Sequence, residues 1–331
     1  MSHKKKISLS GVRPTARMHI GNYLGAVKQF VDLQNEYDTR IFIADYHALT
    51  TVTDPEQLRQ MTFEIVVDYL ACGLDPDQVR LYRQSDVPAH AELQCILNNV
   101  VPASFLLRAH AYKDAKANNQ DVNAGILNYP ILMAADIIMY DADIIPVGFD
   151  QKQHVEYARD FAEKFNHRYG KTFTLPEPLI MQSTGTVPGV DGRKMSKSYR
   201  NFIPLSASDI EISEAVMSIP TDSQPVHEPK VDYEQDVVYR FHTFFTPEPE
   251  LAKITEGYAK GGLSYQESKK ILIESIKQVI GPIRDRRSKL EQKPKEIYDL
   301  LTEGAKKSRV EAEQKMVQVR QTVGLDPRKD Q

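Results

Sequence analysis

Two short stretches of this 331-residue chain carry residues whose types and spacing suit work on phosphate. The first, Ile7 to Asn22, reads as an apolar strand (Ile7-Ser8-Leu9-Ser10), a turn through Gly11, Arg13 and Pro14, and then His19-Ile20-Gly21-Asn22 opening a helix. A strand that hands over to a helix gathers unpaired backbone N–H groups and the positive end of a helix macrodipole, which favours phosphate. Gly21 admits close approach to the backbone, and His19 and Asn22 project hydrogen-bonding groups from the same turn. The second stretch, Gly189-Val190-Asp191-Gly192-Arg193-Lys194-Met195-Ser196-Lys197-Ser198, is a glycine-bearing loop ending in two lysines three apart and two hydroxyls. Lysines on a loop that closes act on charge as it develops on a leaving group. Singly, the first reads as well as an ordinary helix start and the second as a solvated turn. Together they point to a nucleotide site.

Carboxylates offer less. Asp136 stands inside an apolar helical run, where by itself it reads as a backbone cap or the partner of an arginine. Asp141, Asp143 and Asp150 suggest a metal cage, but two of them fall in an apparent turn, where Asp is common for local reasons.

The elements that must position these residues alternate. After the first helix (Ile20, Leu24, Val27 and Val31 on one face), the run from Thr39 through RIFIADYHAL has the apolar density of a strand buried on both faces. Asp54-Pro55-Glu56-Gln57 starts a helix that ends at Gly73, with Asp as cap and Pro at the first helical position. Val79 to Tyr82 is a third strand, and a helix follows from Pro88 to about Val101. The stretch from Pro102 to Gln120 is expected to be irregular. Ile126 to Tyr140 is an apolar helix interrupted near its start by Pro130, Ile144 to Val147 a strand, and Gln151 to Tyr169 an amphipathic helix stopped by Gly170. This alternation predicts an α/β fold with a doubly wound parallel sheet, whose ligands bind at the carboxyl ends of the strands. Beyond Lys194, prolines punctuate helical patterns and strands are hard to find. The expected division is a Rossmann-like catalytic domain over residues 1–195 and a smaller, mostly α-helical domain over 196–331, its last helix a candidate to pack back on the first.

Composition excludes several classes. The net charge of −3 announces no polyanion partner, although residues 284–331 hold thirteen Lys and Arg against nine Asp and Glu; such a run more often makes a solvated helix face. Cys72 and Cys95 both sit in apolar helical patterns and read as small buried hydrophobes, with no disulfide framework and no Cys/His zinc cluster. The six residues MSHKKK are too few for a leader peptide, and no apolar run is long enough to span a membrane. A cytoplasmic protein with no membrane or DNA partner is expected.

His19-Ile20-Gly21-Asn22 and Lys194-Met195-Ser196-Lys197-Ser198 resemble the two hallmark motifs of the class I aminoacyl-tRNA synthetases. The pentapeptide matches letter for letter; the first motif has Asn22 where many members have a second His. The interval between them suits the compact tryptophanyl/tyrosyl subgroup, and neither a Walker lysine loop nor a G-x-G-x-x-G competes. Met133-Ala134-Ala135-Asp136-Ile137-Ile138-Met139-Tyr140, Pro146-Val147-Gly148-Phe149-Asp150-Gln151-Lys152-Gln153-His154 and Asp45-Tyr46-His47-Ala48-Leu49-Thr50 resemble the tryptophanyl branch. The resemblance implies ATP-dependent ligation of L-tryptophan to its tRNA through an adenylate, with Mg²⁺ carried mainly by ATP and no metal held by the protein. It implies His19, Asn22, Lys194 and Lys197 as catalytic residues. Arg13, Pro14, Thr15, Gly21, Asn22, Gly148, Phe149, Asp150 and Val187 would surround ATP, together with Lys194, Met195, Ser196, Lys197 and Ser198. For the amino acid, Leu9, Met133, Ile145 and Val147 would line an apolar slot, and Asp136 would take the single N–H of indole. Tyr129 and Gln151 would hold the ammonium group, with His47 nearby. Arg13 and Tyr46 stand where many relatives have Gln, and Phe149 where many have Glu. The helical region would meet the tRNA anticodon, and relatives of this kind are homodimers. A tyrosyl counterpart, a nucleotidylyltransferase sharing the first motif and a non-catalytic RNA-binding paralogue are the alternatives.

Overall fold

The computed structural model describes residues 5–15, 17–117, 122–148, 151–180 and 187–325. Its centre is a sheet of β1 (Ile7–Val12), β2 (Asp38–Ile43), β3 (Arg80–Arg83), β4 (Ile144–Val147) and β5 (Glu177–Ile180). The five strands run in the order β3-β2-β1-β4-β5, every pair parallel. The order reverses between β1 and β4, so a crevice opens past their carboxyl ends at Val12 and Val147. β5 has no counterpart in the sequence reading. It is a partly exposed edge strand that contains Pro178, and both features blunt the apolar signal that marks a central strand.

After β1 the chain winds through α1 (Ile20–Asn22), a π-helical turn (Tyr23–Val27) and α2 (Lys28–Leu33), burying Ile20, Leu24 and Val27 as their spacing predicts. The strand expected through RIFIADYHAL stops at Ile43, because the β1–β2 ladder ends at Val12 opposite Ile43. The chain then turns into α3 (Asp45–Ala48). In α4 (Pro55–Ala71) the Asp54 side chain accepts from the N–H groups of Glu56 and Gln57, and Gly73 follows the end at φ +109°. α5 (Ala89–Leu97) buries His90, Leu93 and Leu97, which turns Cys95 to solvent. The expectation that both cysteines are buried therefore holds for Cys72 alone. The stretch after Pro102 is more regular than expected, forming α6 (Ala103–Leu106) and α7 (His110–Ala117). α8 (Ala124–Ile138) is capped by Asn123 and keeps Pro130 inside its run, and α9 (Lys152–Tyr169) stops at Gly170.

One face of the sheet packs Leu9, Phe42 and Tyr82 against α5, α8 and α9, through residues such as Leu97, Ala135 and Phe161. The other packs Ile41, Ile43 and Leu81 against Ile65 and Val66 of α4. The C-terminal half is helical: α10 (Asp209–Met217), α11 (Val237–Phe245), α12 (Glu248–Lys260), α13 (Tyr265–Glu291) and α14 (Pro294–Val323). Residues from α10, α11 and α13 share a core with Ile20, Leu24 and Met195. α14 lies along β3 so closely that a Cβ on Gly304 would stand 2.0 Å from the Leu81 carbonyl oxygen. The basic surplus of the tail is partly spent on these contacts, in Arg287–Asp68 (2.6 Å), Lys315–Asp141 (2.6 Å) and Arg320–Glu92 (2.7 Å). Among the described residues no helix is long and apolar enough to cross a membrane.

Candidate active site

The start of α1 is a reciprocal cap. His19, in extended backbone, accepts the Asn22 N–H at Nδ1 (3.3 Å), while the Asn22 Oδ1 accepts the His19 N–H (3.1 Å). A backbone N–H can only donate, so Nδ1 carries no proton and the ring presents its N–H at Nε2. Burial, and secondarily the Lys197 ammonium, push the His19 pKa down to about 4. Near neutral pH the ring is therefore an uncharged donor.

The lysine loop is packed onto this cap. Met195 is buried in the core that holds Ile20 and Leu24, and its N–H donates to the Val187 carbonyl (3.1 Å). A Cβ on Gly21 would stand 3.2 Å from the Met195 sulfur, so glycine there lets the loop approach the helix start. Lys194 and Ser198 are exposed, while Ser196 and Lys197 are half-buried. Burial holds the Lys197 pKa below the usual lysine value, against the opposing pull of Asp68 and Glu64. The two hydroxyls of the loop meet, Ser196 Oγ to Ser198 Oγ, at 2.8 Å.

Sequence reasoning missed the brace beneath this loop. Asn201, 2 % exposed, accepts the Ser196 N–H at Oδ1 (2.8 Å) and donates from Nδ2 to Asp191 (2.7 Å) and to the Lys194 carbonyl (3.1 Å). A Cβ on Gly189 would come within 2.2 Å of that Nδ2. An asparagine three residues beyond a Ser/Lys loop carries no signal of its own, because Asn is common in turns.

Across the crevice, Asp136 is 1 % exposed and is ringed by donors. His47 Nε2 lies 2.9 Å from Oδ2, His90 Nδ1 2.7 Å from Oδ1, and Gln84 Nε2 2.7 and 2.8 Å from the two oxygens. Burial alone would raise its pKa; the hydrogen bonds from His47 and His90 reverse that and hold the carboxyl below its ordinary range. Asp136 thus pairs with histidines and an amide, not with the arginine or backbone group that the residue by itself suggested. Gln84 and His90 went unnoticed in sequence, although Gln84 follows directly on β3, at the end of the sheet where ligands bind.

Leu9, Met133, Ile145 and Val147 share one core. Leu9 and Ile145 are 1 % and 4 % exposed, while Met133 and Val147 are half-buried against them. The Tyr129 ring stands edge-on to His47 at 6.3 Å, and its hydroxyl lies 3.3 Å from His154 Nε2. The Gln151 N–H closes on the Gly148 carbonyl (3.0 Å) at the start of α9. Arg13, past the end of β1, hydrogen-bonds the Thr50 and Thr51 hydroxyls, and Thr50 Oγ donates to the His47 carbonyl (2.8 Å). That chain of contacts ties the segment after β1 to α3. Pro14 is buried and Thr15 exposed beside it, and Val187 lies in the core under the loop. Phe149 and Asp150 lie outside the described residues.

Of the three carboxylates of the metal-cage alternative, Asp150 lies outside the described residues, and the other two are engaged by other groups. Asp143 accepts the Ile7 N–H (2.7 Å), and Asp141 accepts the Thr174 N–H (3.3 Å) and pairs with Lys315. Among the described residues no group of three or more His, Cys, Asp or Glu is placed to hold a metal ion.

Known proteins resemble this chain over nearly its whole length. A family model described as tRNA synthetases class I (W and Y) matches residues 1–281. The tryptophan–tRNA ligase of Fusobacterium nucleatum subsp. nucleatum is 46 % identical over 321 residues, 97 % of this chain and 98 % of that one. The tryptophan–tRNA ligase of Rhodopirellula baltica is 43 % identical over 96 % of this chain and 99 % of its own length. A crystal structure of tryptophanyl-tRNA synthetase from Campylobacter jejuni, complexed with ADP and tryptophan, superposes with a TM-score of 0.89 at 39 % identity, covering 96 % of this chain and 99 % of that one.

Proposed function

The chain belongs to the class I tRNA synthetases of the W and Y group, and from that premise we propose that it ligates L-tryptophan to its tRNA using ATP. The tryptophan carboxylate attacks the α-phosphorus in line, the α–β phosphoanhydride bond breaks, and pyrophosphate leaves behind tryptophanyl-adenylate. A ribose hydroxyl at the 3′ end of the tRNA, the 2′-hydroxyl in class I members, then attacks the acyl carbon and AMP departs. The protein contributes position and charge rather than a covalent intermediate.

His19 and Asn22 offer donors to the phosphates at the helix start. Lys194 and Lys197 meet the charge that grows on the leaving pyrophosphate. Arg13, Pro14, Thr15, Gly21, Gly148, Phe149, Asp150 and Val187 frame the nucleotide, with Met195, Ser196 and Ser198 of the loop. Mg²⁺ carried on the ATP phosphates supplies further charge neutralisation when bound, since it prefers phosphate oxygens and waters to a protein cage. Asp136 accepts the indole N–H in the apolar slot of Leu9 and Ile145, and Tyr129 and Gln151 hold the ammonium group with His47 beside them. Residues 196–331 meet the anticodon end of the tRNA, and the working unit is a cytoplasmic homodimer.

The observation that carries this reading is the seating of Met195 against Gly21, which sets the lysine loop over the capped helix start. The test is amino-acid-dependent ATP–pyrophosphate exchange with tryptophan, tyrosine and phenylalanine in parallel. Tryptophan should support exchange, and phenylalanine, which has no N–H to offer Asp136, should support far less. Exchange with tyrosine instead would overturn the pocket assignment, and exchange with none would overturn the enzyme.

A further inference from the structure

One histidine of the pocket has no place in that reaction. His90, near the start of α5, is fully buried and stands behind Asp136. Its Nδ1 lies 2.7 Å from Asp136 Oδ1 and its Nε2 lies 2.9 Å from the Tyr140 hydroxyl. The rings of Phe42, Tyr82 and Tyr140 surround it at 5.6 to 6.4 Å. Leucine or phenylalanine would fill such a site with no polar atoms to satisfy, so packing does not explain a histidine here; its two hydrogen bonds do.

The groups that face the Asp136 carboxylate are His47 from α3, Gln84 from the turn after β3, and His90 from α5. Behind His90 stand Tyr140, Tyr82 of β3 and Arg40 of β2, whose guanidinium lies 6.0 Å from the Tyr140 ring centre. A carboxylate has about four acceptor positions, and these three side chains occupy most of them. Among the described residues, His90 is also anchored from behind: with the Asp136 carboxylate accepting from Nδ1, the Nε2 of the neutral ring is left to accept the Tyr140 O–H.

We propose that His90 is a positioning residue for amino-acid selection, donating from Nδ1 in a tautomer locked by Tyr140 so that Asp136 stays ionised and aimed at the indole N–H. This rests on the tryptophan reading above. Without the His90 donor the ionised form of Asp136 loses a partner, and its protonated form, a weaker acceptor for the indole N–H, becomes more populated as pH falls.

The test compares L-tryptophan with β-(benzothiophen-3-yl)-L-alanine, the isostere in which sulfur replaces the N–H, in pyrophosphate exchange by the full-length protein. In His90→Leu, the preference for tryptophan in kcat/KM should fall by about tenfold, through KM and with kcat little changed. KM for tryptophan should also rise as pH drops from about 8 to 6, a range over which the native profile should be flat. His90→Asn, whose amide nitrogen can stand where Nδ1 stood, should keep both the preference and the flat profile. A leucine variant with native preference and native pH profile would overturn the proposal. Should that variant not fold, Tyr140→Phe decides: about a threefold loss of preference is expected from unlocking the tautomer, and an unchanged preference overturns the proposal. Asp136→Ala separates the two readings. If it abolishes the preference while His90→Leu does not, only the role of His90 fails. If it leaves the preference intact, the assignment of Asp136 to indole fails first.

Discussion

If Lys197 meets the leaving pyrophosphate as proposed, its burial readies it for a charge that is not yet present. Its ammonium is half-buried, and burial lowers its pKa against the opposing pull of Asp68 and Glu64, so on the proposed reading it gains from the negative charge of the leaving pyrophosphate. Lys197→Ala should lower the rate of adenylate formation by about 10²- to 10³-fold while tryptophan binding is unchanged. The chain itself contains no tryptophan, so fluorescence of the bound amino acid reports that binding without background from protein indoles. An unchanged rate would remove Lys197 from the chemistry. His19 is prepared in the opposite sense: its pKa near 4 means that it is neutral in the folded protein when an exposed histidine would be half-protonated. Between the unfolded value of about 6.5 and the folded value, the unfolded chain binds the extra proton, so His19 removes stability as pH falls through that window and contributes nothing above it. The His19 ring-proton NMR shift should titrate near 4, and the urea midpoint should drop from pH 7 to pH 5. A titration near 6.5 would show that the ring is not buried at the helix start.

At the level of elements, the loop from Gly189 to Ser198 owes its shape to neighbours as much as to its own residues. Asn201 stitches Asp191, Lys194 and Ser196 together, and the Gly189 backbone passes so close that a methyl group would collide with it. Gly189→Ala should therefore displace the lysines, lowering exchange by at least about tenfold, since misplacement by about an ångström is costly in positioned catalysis. Melting temperature should change little, because the loop is peripheral to the sheet cores. A large fall in melting temperature with normal exchange at low temperature would reverse that assignment. Helix limits were legible where a cap or stop is chemical: Asp54 with Pro55, and Gly73 and Gly170 past their helices, all appear where the sequence places them. The edge strand β5 and the short α3 were not legible. An edge strand is only half-buried, and α3 exists because the neighbouring ladder runs out at Val12.

Across the whole molecule, the C-terminal helices are fastened to the sheet layer by specific charged pairs, one of them buried. Arg287 of α13 donates to Asp68 of α4, both nearly closed to solvent, and Asp68 in turn accepts weakly from the Met18 N–H, next to the His19 cap. Burial raises the Asp68 pKa even though Arg287 pulls it down, while Asp68 and Glu291 raise that of Arg287 against its own burial. Arg287→Leu should cost about 3–5 kcal/mol by leaving Asp68 buried without its partner, and Asp68→Asn in the same chain should restore part of it. Chemical denaturation of the two variants checks this; equal stability of the single variant and the native protein would mean that water already compensates Asp68.

What the sequence by itself determined is local. The parallel α/β alternation, the capped helix start at His19, the two-lysine loop and the carboxylate inside an apolar helix all follow from periodicity, capping chemistry and residue type within about ten positions of chain. What only the tertiary structure decided is which distant groups meet. Gln84, His90 and His47 lie 52, 46 and 89 residues from Asp136, and no local pattern records that three donors converge on one carboxylate. The exposure of Cys95 was likewise decided by which side of α5 the sheet covers. Pairing and burial across such separations are set when the sheet and helices pack, because the cost of burying an unpaired polar group is levied on the finished core and not on the segment that carries it.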